Sequence, residues 1–436
     1  MKKIAGRAVS LLLLVFLVLA GLTLYGIRYI DHGKDWALYF SRLNSLSGGQ
    51  VLDRDSRVLA QFDANQSGFC EDAELRMANY HVTGDYWGRT GTGILSAFWQ
   101  NARSFSLATG TTKGSNSTLE LSIDAELNRV AYRALAGRKG AVLLCNYRTG
   151  ELMGMVSTPV VDPADADAVP EDGAYLNRCL SAAFIPGSVF KLVTAAAAIE
   201  NLENIQQRQF YCEGSTEIAG VEISCVVPHY TMTFEQALSN SCNVAFANMG
   251  IRIGQDTLAR YARDYGFLSP HDLDGIPTAA GSFPTEFVGD PELGWASIGQ
   301  STDLVCPYSL LRYVCAIAND GILVEPHMVR MDKAPVQSRF LSADTAHQLR
   351  DLMRFAVVDH YGGDEAFPGL ALCAKTGTAE LGDETTHAWF TGFLADEEHP
   401  YAFVVLVERG GGGMTVASPI ANALLQAAVR DDKFQD

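Results

Sequence analysis

The stretch FIPGSVFKLVTAAAA, residues 184–198, sets Ser188 three positions ahead of Lys191 at the start of an apolar run. A serine hydroxyl is a weak nucleophile and needs an adjacent base. On a helix, a residue at i+3 projects from the same face. An amine flanked by apolar residues is partly desolvated, which disfavours its charged form and suits it to take a proton near neutral pH. The helix start adds unpaired backbone N–H groups and the positive end of the dipole. By itself the pattern is weak. Serine is a common helix cap, and S-x-x-K is expected about once or twice by chance in a chain of this length.

Two further clusters follow in order. SNSCNVAF supplies Ser241, Cys242 and Asn243, where a hydroxyl and an amide can face a cleft. CAKTGTAE supplies Lys375, Thr376, Gly377 and Thr378, with a glycine that permits close approach to the backbone. Taken singly, Ser241 or Asn243 can be a helix cap and Lys375 a solvated strand end. K-T-G-T is expected by chance in only about one chain in a thousand.

The elements that must position these groups are legible in outline. From Phe190 the alanine-rich segment reads as a helix that is apolar on most sides and therefore central to its domain. FEQALSNSCNVAFANMGIRIG reads as two helices meeting near Ser239 to Asn243. LALCAKTGTAEL, HAWFTGFLA and YAFVVLVERG read as three strands, and SPIANALLQAAVRDD as a closing helix. GAVLLCNYRTGELMGMVS is a hairpin, preceded by the amphipathic helix within LELSIDAELNRVAYRALAG. Helices in the middle with strands at both ends predict an α+β fold with an antiparallel sheet. Earlier, LSGGQVLDRDSRVLAQF (46–62) reads as strand, turn and strand, and TGTTKGSNST (109–118) as a linker.

The chain has 436 residues, enough for about two or three units. Its 33 Lys+Arg against 50 Asp+Glu give a net charge of −17, which argues against a nucleic-acid partner. Lys2, Lys3 and Arg7 precede 20 uncharged residues, Ala8 to Ile27, about the length of a spanning helix. The basic flank places the N-terminus in the cytoplasm and everything after residue 30 outside the membrane. The small residues of VLA (18–20) leave a cleaved signal peptide as the rival. The nine cysteines and nine histidines contain no C-x-x-C and no H-E-x-x-H, so no metal and no cofactor is expected. Cys212 and Cys225 bracket the hairpin-like EGSTEIAGVEIS and can form a disulfide or stand as two separate thiols.

S-x-x-K, S-x-N and K-T-G in this order resemble the penicillin-binding proteins and serine β-lactamases. GAVLLCNYRTGELMGMVSTPVVDP is similar to the opening of their transpeptidase domain, and WASIGQSTDLVCPYSLLRYVCAIANDGILVEPHMV matches a family stretch around Gly299-Gln300, Pro307, Asn319-Gly321 and Pro326. GGQVLDRDSRVLAQ near the anchor resembles a segment of the class B penicillin-binding proteins. The resemblance implies a DD-peptidase fold with a transmembrane anchor (1–30), a small β-rich pedestal domain (31–118) and a transpeptidase domain (119–436). It implies that Ser188 attacks the D-Ala–D-Ala carbonyl of a peptidoglycan stem peptide, with Lys191 taking its proton. Ser241 would relay a proton to the departing amine, Asn243 would bind the substrate amide, and Lys375, Thr376 and Thr378 the terminal carboxylate. The backbone N–H groups of Ser188 and Thr378 would form the oxyanion hole.

The implied partners are stem peptides, β-lactams, the membrane and an accompanying glycosyltransferase. Cys242 within S-x-N, and Cys145-Asn146 where the family often has Leu-Asp, depart from the pattern without removing a reacting group. A membrane-anchored D,D-carboxypeptidase is the alternative, then a β-lactamase or a β-lactam sensor. No Glu-x-x-x-Asn element of a class A β-lactamase lies between Asn243 and Lys375.

Overall fold

The computed structural model describes residues 2–41, 49–62, 68–97, 105–106, 111–112, 117–286, 289–330 and 334–430. The apolar runs at residues 140–158 and 372–407 become one antiparallel sheet. Its strands are β1 (Gly140–Asn146), β2 (Leu152–Thr158), β3 (Leu372–Glu380), β4 (Thr386–Leu394) and β5 (Tyr401–Val407), in the order β3-β4-β5-β1-β2. Nearly every residue of β1, β2, β4 and β5 is buried, because both faces are covered. That is why these strands read as continuous apolar runs without alternation.

One face packs against α2 (Ala125–Leu135) and the closing helix Ser418–Arg430. Leu127, Leu135, Val142, Leu144, Phe403, Val405 and Leu424 share that core. The buried helix Pro307–Ala318 packs on the sheet as well, against β1, β4 and β5. The α+β architecture with an antiparallel sheet flanked by helices is the one expected. The alanine-rich helix, α3 (Lys191–Asn201), buries every residue from Lys191 to Ala198, as a helix apolar on most sides must.

Contacts divide the chain into two units. Val51–Ala60, Phe69–Phe98 and Leu119–Asp436 form one; Met1–Gln50, Gln61–Gly68 and Trp99–Thr118 form the other. Within the first, Arg76 grips Asp162 with two bonds of 2.7 and 2.6 Å, and Asn128 donates to Asn79 at 2.8 Å. The expected turn at Asp53–Ser56 is closed by the Asp53 carboxylate, which accepts from the Asp55 and Arg57 amides. The second contains α1 (Lys2–Ser41), whose apolar stretch Gly6–Tyr29 spans 24 residues. At 1.5 Å per residue it is about 36 Å long, enough to cross a bilayer core of about 30 Å. The linker segment 109–118 lies mostly outside the described residues.

Candidate active site

Ser188 does not sit on the α-helix itself. It occupies a single 3-10 turn, Gly187–Phe190, and the α-helix begins at Lys191. Gly187 explains the geometry. Its φ of +55° is left-handed, and a Cβ there would lie 2.8 Å from the Thr378 carbonyl oxygen. The turn is tied from three sides. The Gly187 amide donates to Gly299 O (2.8 Å), the Trp389 indole donates to Ile185 O (3.0 Å), and Phe184 exchanges two backbone bonds with Val305.

Lys191 is completely buried, and its Nζ lies 2.6 Å from Ser241 O, 2.7 Å from Asn243 Oδ1 and 3.2 Å from Ser241 Oγ. The Asn243 amide is oriented by its other end, which donates to Ser224 O at 2.7 Å. The two shortest contacts of Nζ are thus to oxygens that only accept. A neutral amine has two N–H groups and one lone pair; with both N–H groups so occupied, the lone pair is left for a hydroxyl. Burial, and then the neighbouring Lys375 charge, push the Lys191 amine well below its ordinary range. Lys375 is equally buried and donates to Ser241 Oγ (3.0 Å) and Thr376 O (2.9 Å). Burial alone lowers its amine to about 7. The Ser241 hydroxyl therefore stands between two lysines.

Ser241 has φ +53°, a left-handed conformation that costs a non-glycine residue roughly 1–3 kcal/mol. It lies between two helices, α4 (Phe234–Ser239) and α5 (Asn243–Ile253), as the sequence indicates. The cap of α5 is Cys242, whose sulfur accepts from the Ala245 amide. A capping box of Thr233 and Gln236 starts α4, and Ser239 Oγ donates to Asp359 at 2.7 Å.

The K-T-G segment lies on β3, an edge strand. The Thr376 amide donates to the Tyr361 hydroxyl (3.3 Å), so it points away from β4. Two residues on, the Thr378 amide points the same way, towards the serine turn. The room left by Gly377 is filled from within: a Cβ would meet Pro186 O at 2.9 Å and Val189 Cγ1 at 3.1 Å. Its close approach is to the serine turn.

Ser188, Ser241, Asn243, Thr376 and Thr378 line one cleft of about 200 Å³, with Lys191 and Lys375 buried beside it. Trp295, Gln300 and Glu380 also line it, and sequence reading assigned them no role. Gln300 lies in the family stretch that Trp295 opens, and Glu380 closes CAKTGTAE. All nine cysteines are free thiols. Cys212 and Cys225 flank a true hairpin, Ser215–Ile218 with Val221–Ser224, and their sulfurs are 3.8 Å apart. Linear spacing gave no metal pattern, yet folding gathers Cys212, Cys225, His229 and Cys242 so that their ligand atoms all lie within 4.8 Å of one another.

The family model for the penicillin binding protein transpeptidase domain matches residues 140–426. Stage V sporulation protein D of Bacillus subtilis is 30% identical over 344 residues, covering 71% of this chain and 53% of that protein. Peptidoglycan D,D-transpeptidase PbpA of Mycolicibacterium smegmatis is 30% identical over 335 residues, 67% of each chain. This chain thus spans about half of the first relative and two thirds of the second. Penicillin-binding protein A of M. tuberculosis, solved as a ceftriaxone acyl-enzyme, is 26% identical with a TM-score of 0.73 over 88% of this chain and 98% of that one. The D,D-transpeptidase domain of a peptidoglycan glycosyltransferase from Eggerthella lenta shares the fold at 24% identity and a TM-score of 0.76, over 89% of this chain and 100% of that one. The three motifs, brought together from two helix starts and the edge of the sheet, agree with these relatives, and the chain belongs to the class B members of the penicillin-binding protein transpeptidase family.

Proposed function

We propose that the chain is a peptidoglycan D,D-transpeptidase that cross-links stem peptides through an acyl-enzyme on Ser188. The observation that carries this reading is the buried Lys191 amine, with both N–H groups directed at acceptors and its lone pair available. In the proposed reaction Ser188 Oγ bonds to the D-Ala–D-Ala carbonyl carbon while Lys191 Nζ takes the hydroxyl proton. The oxyanion receives hydrogen bonds from the Ser188 and Thr378 amides. Collapse breaks the peptide bond, and the departing D-Ala nitrogen gains a proton through Ser241 Oγ. A stem-peptide amine then attacks the acyl carbon, its proton passes to Lys191 Nζ, and Lys191 returns it to Ser188 Oγ as the ester bond breaks. Asn243 orients the substrate amide, and Lys375 with Thr376 and Thr378 holds the carboxylate. Gly377 lets the serine turn seat against β3.

The β-lactam held as an acyl-enzyme by the M. tuberculosis relative fits the same reading: β-lactams would acylate Ser188 and block the acceptor. The N-terminal helix is proposed as a single-pass anchor with the catalytic unit on the extracytoplasmic side. Residues 31–118 would serve as its pedestal and a glycosyltransferase as its partner.

The test is the lifetime of a fluorescent penicillin adduct on the full chain in detergent, beside Ser188→Ala, followed by a cross-linking assay with an acceptor amine. The reading expects a long-lived adduct that needs Ser188, and amine transfer. Rapid turnover would mean a β-lactamase, and release only to water a D,D-carboxypeptidase.

A further inference from the structure

We infer that Cys212, Cys225, His229 and Cys242 form a zinc site that holds the S-x-N turn in place. The four residues follow the pattern C-x12-C-x3-H-x12-C, which contains neither C-x-x-C nor H-E-x-x-H. In the fold they converge. Cys212 ends the strand Phe210–Cys212, Cys225 follows the strand Val221–Ser224, His229 precedes the strand Tyr230–Met232, and Cys242 caps α5. The first and last of these strands pair, with Cys212 opposite Tyr230, so His229 is brought back beside Cys212.

The distances suit a tetrahedral ion. Zinc–sulfur bonds of about 2.3 Å at tetrahedral angles place two ligand sulfurs about 3.8 Å apart. The separations are 3.8 Å for Cys212–Cys225 and 3.8 Å for Cys225–Cys242. The fourth donor is also available: Nδ1 of His229 is buried and has no hydrogen-bond partner among the described residues. A buried ring nitrogen without a partner is costly unless something satisfies it, and a cation would.

The outer contacts suit thiolates. Cys212 Sγ accepts from the Gly214 amide (3.4 Å), Cys225 Sγ from Asn243 (3.2 Å) and Cys242 Sγ from Ala245 (3.4 Å). Backbone donors to all three sulfurs favour the deprotonated ligand and fix its direction. A three-cysteine, one-histidine set with four protein donors is a closed structural zinc site, with no position left for a reacting water. Binding Zn²⁺ displaces the thiol protons to solvent. Cys212 and Cys242 are buried, whereas the half-buried Cys225 and His229 border the active-site cleft and give the ion an entry path.

The site's position gives it a consequence. Cys242 lies between Ser241 and Asn243, and Cys225 already bonds the Asn243 amide. One ion would join the 212–229 segment to the turn and maintain the left-handed Ser241 and the orientation of Asn243. These four residues act as positioning residues; none touches the reacting atoms.

The experiment uses the full chain, purified in detergent under reducing conditions without chelator. Metal content is read by mass spectrometry and Co²⁺ uptake by thiolate-to-cobalt charge-transfer absorption. We expect one zinc per chain, a tetrahedral Co²⁺ spectrum after exchange, loss of stoichiometric metal in Cys212→Ser and His229→Ala, and no loss in Cys70→Ser. Stripping the metal should slow penicillin acylation about ten- to a hundredfold, the range seen when supports of a metal site are disturbed, and Zn²⁺ should restore it. A reduced wild-type chain that holds no zinc and takes up no Co²⁺ overturns the site, as does a Cys212–Cys225 disulfide in the isolated protein. Acylation indifferent to metal removal overturns the positioning role. The acylation readout rests on the proposed serine chemistry, but metal content does not: a zinc-loaded chain that penicillin never labels would sink the transpeptidase reading and leave the site standing.

Discussion

The S-x-N turn and the K-T-G strand present their polar groups to the same cleft, yet they are held by different means. β3 pairs with β4 in unbroken register from Leu372 to Glu380, so the ladder alone fixes where Thr376 and Thr378 stand. The turn has no ladder. It joins two short helices through a residue of positive φ, and its shape depends on side chains from elsewhere: Lys191 from α3, Lys375 from β3, and Cys225 from the segment before it. A motif on a regular strand inherits its geometry from the backbone. A motif on a turn must be clamped.

The comparison predicts where substitutions do most damage. Lys191→Met removes the proposed base and the turn's shortest clamp together; acylation should fall about 10²–10⁴-fold, the range for a lost general base, in stopped-flow measurements with a chromogenic β-lactam. An undiminished rate would break the assignment. Ser241→Ala and Ser241→Gly should both slow acylation, by about a hundredfold. They should differ in stability, with glycine higher by about 1 kcal/mol because it accepts left-handed φ without strain. Equal denaturation midpoints would mean that the turn is unstrained.

On the strand side the expected effects are smaller. Tyr361→Phe removes the hydroxyl beside Thr376 (3.1 Å to Oγ1) and should cost about 1 kcal/mol, seen as a severalfold rise in KM with little change in kcat. A strand set by its ladder tolerates that loss; a collapse of kcat would show that it does not. Lys375 supplies the gentlest test. Its amine titrates at about 7 in the fold against an ordinary 10.5, so the unfolded chain binds more protons between those values. Unfolding free energy should therefore rise with pH across that window. In urea titrations Lys375→Met should lack this part of the slope.

The sheet, the central helix and the helix junction at 239–243 were legible because each depends on local pattern: apolar runs bounded by turns, and an alanine run after a glycine. The three motifs were legible because their spacing is short. What the sequence hid was assembled over distance. Cys225 sits 17 positions before Cys242, beyond any local spacing rule, and Tyr361 reaches Thr376 from the turn after a different helix. The 3-10 turn at Ser188 also escaped, since propensity alone extends the helix through it. It took the packing of Gly187 against Thr378 to reveal that the chain tightens there. Gly377 does permit close approach to the backbone, and what approaches is that same turn.

That packing has a second effect, on self-association. β3 is nine residues long and lies at the margin of the sheet, where bare peptide groups invite pairing with another molecule. Here Gly187 seats against Thr378, the Tyr361 hydroxyl occupies the Thr376 amide, and Arg354 takes the Leu372 carbonyl at 3.0 Å. The turn that carries Ser188 thus also shields the margin from strand-to-strand aggregation. Bulk at Gly187 would lift it away, so insolubility on overexpression, as well as lost acylation, is the expected mark of Gly187→Val.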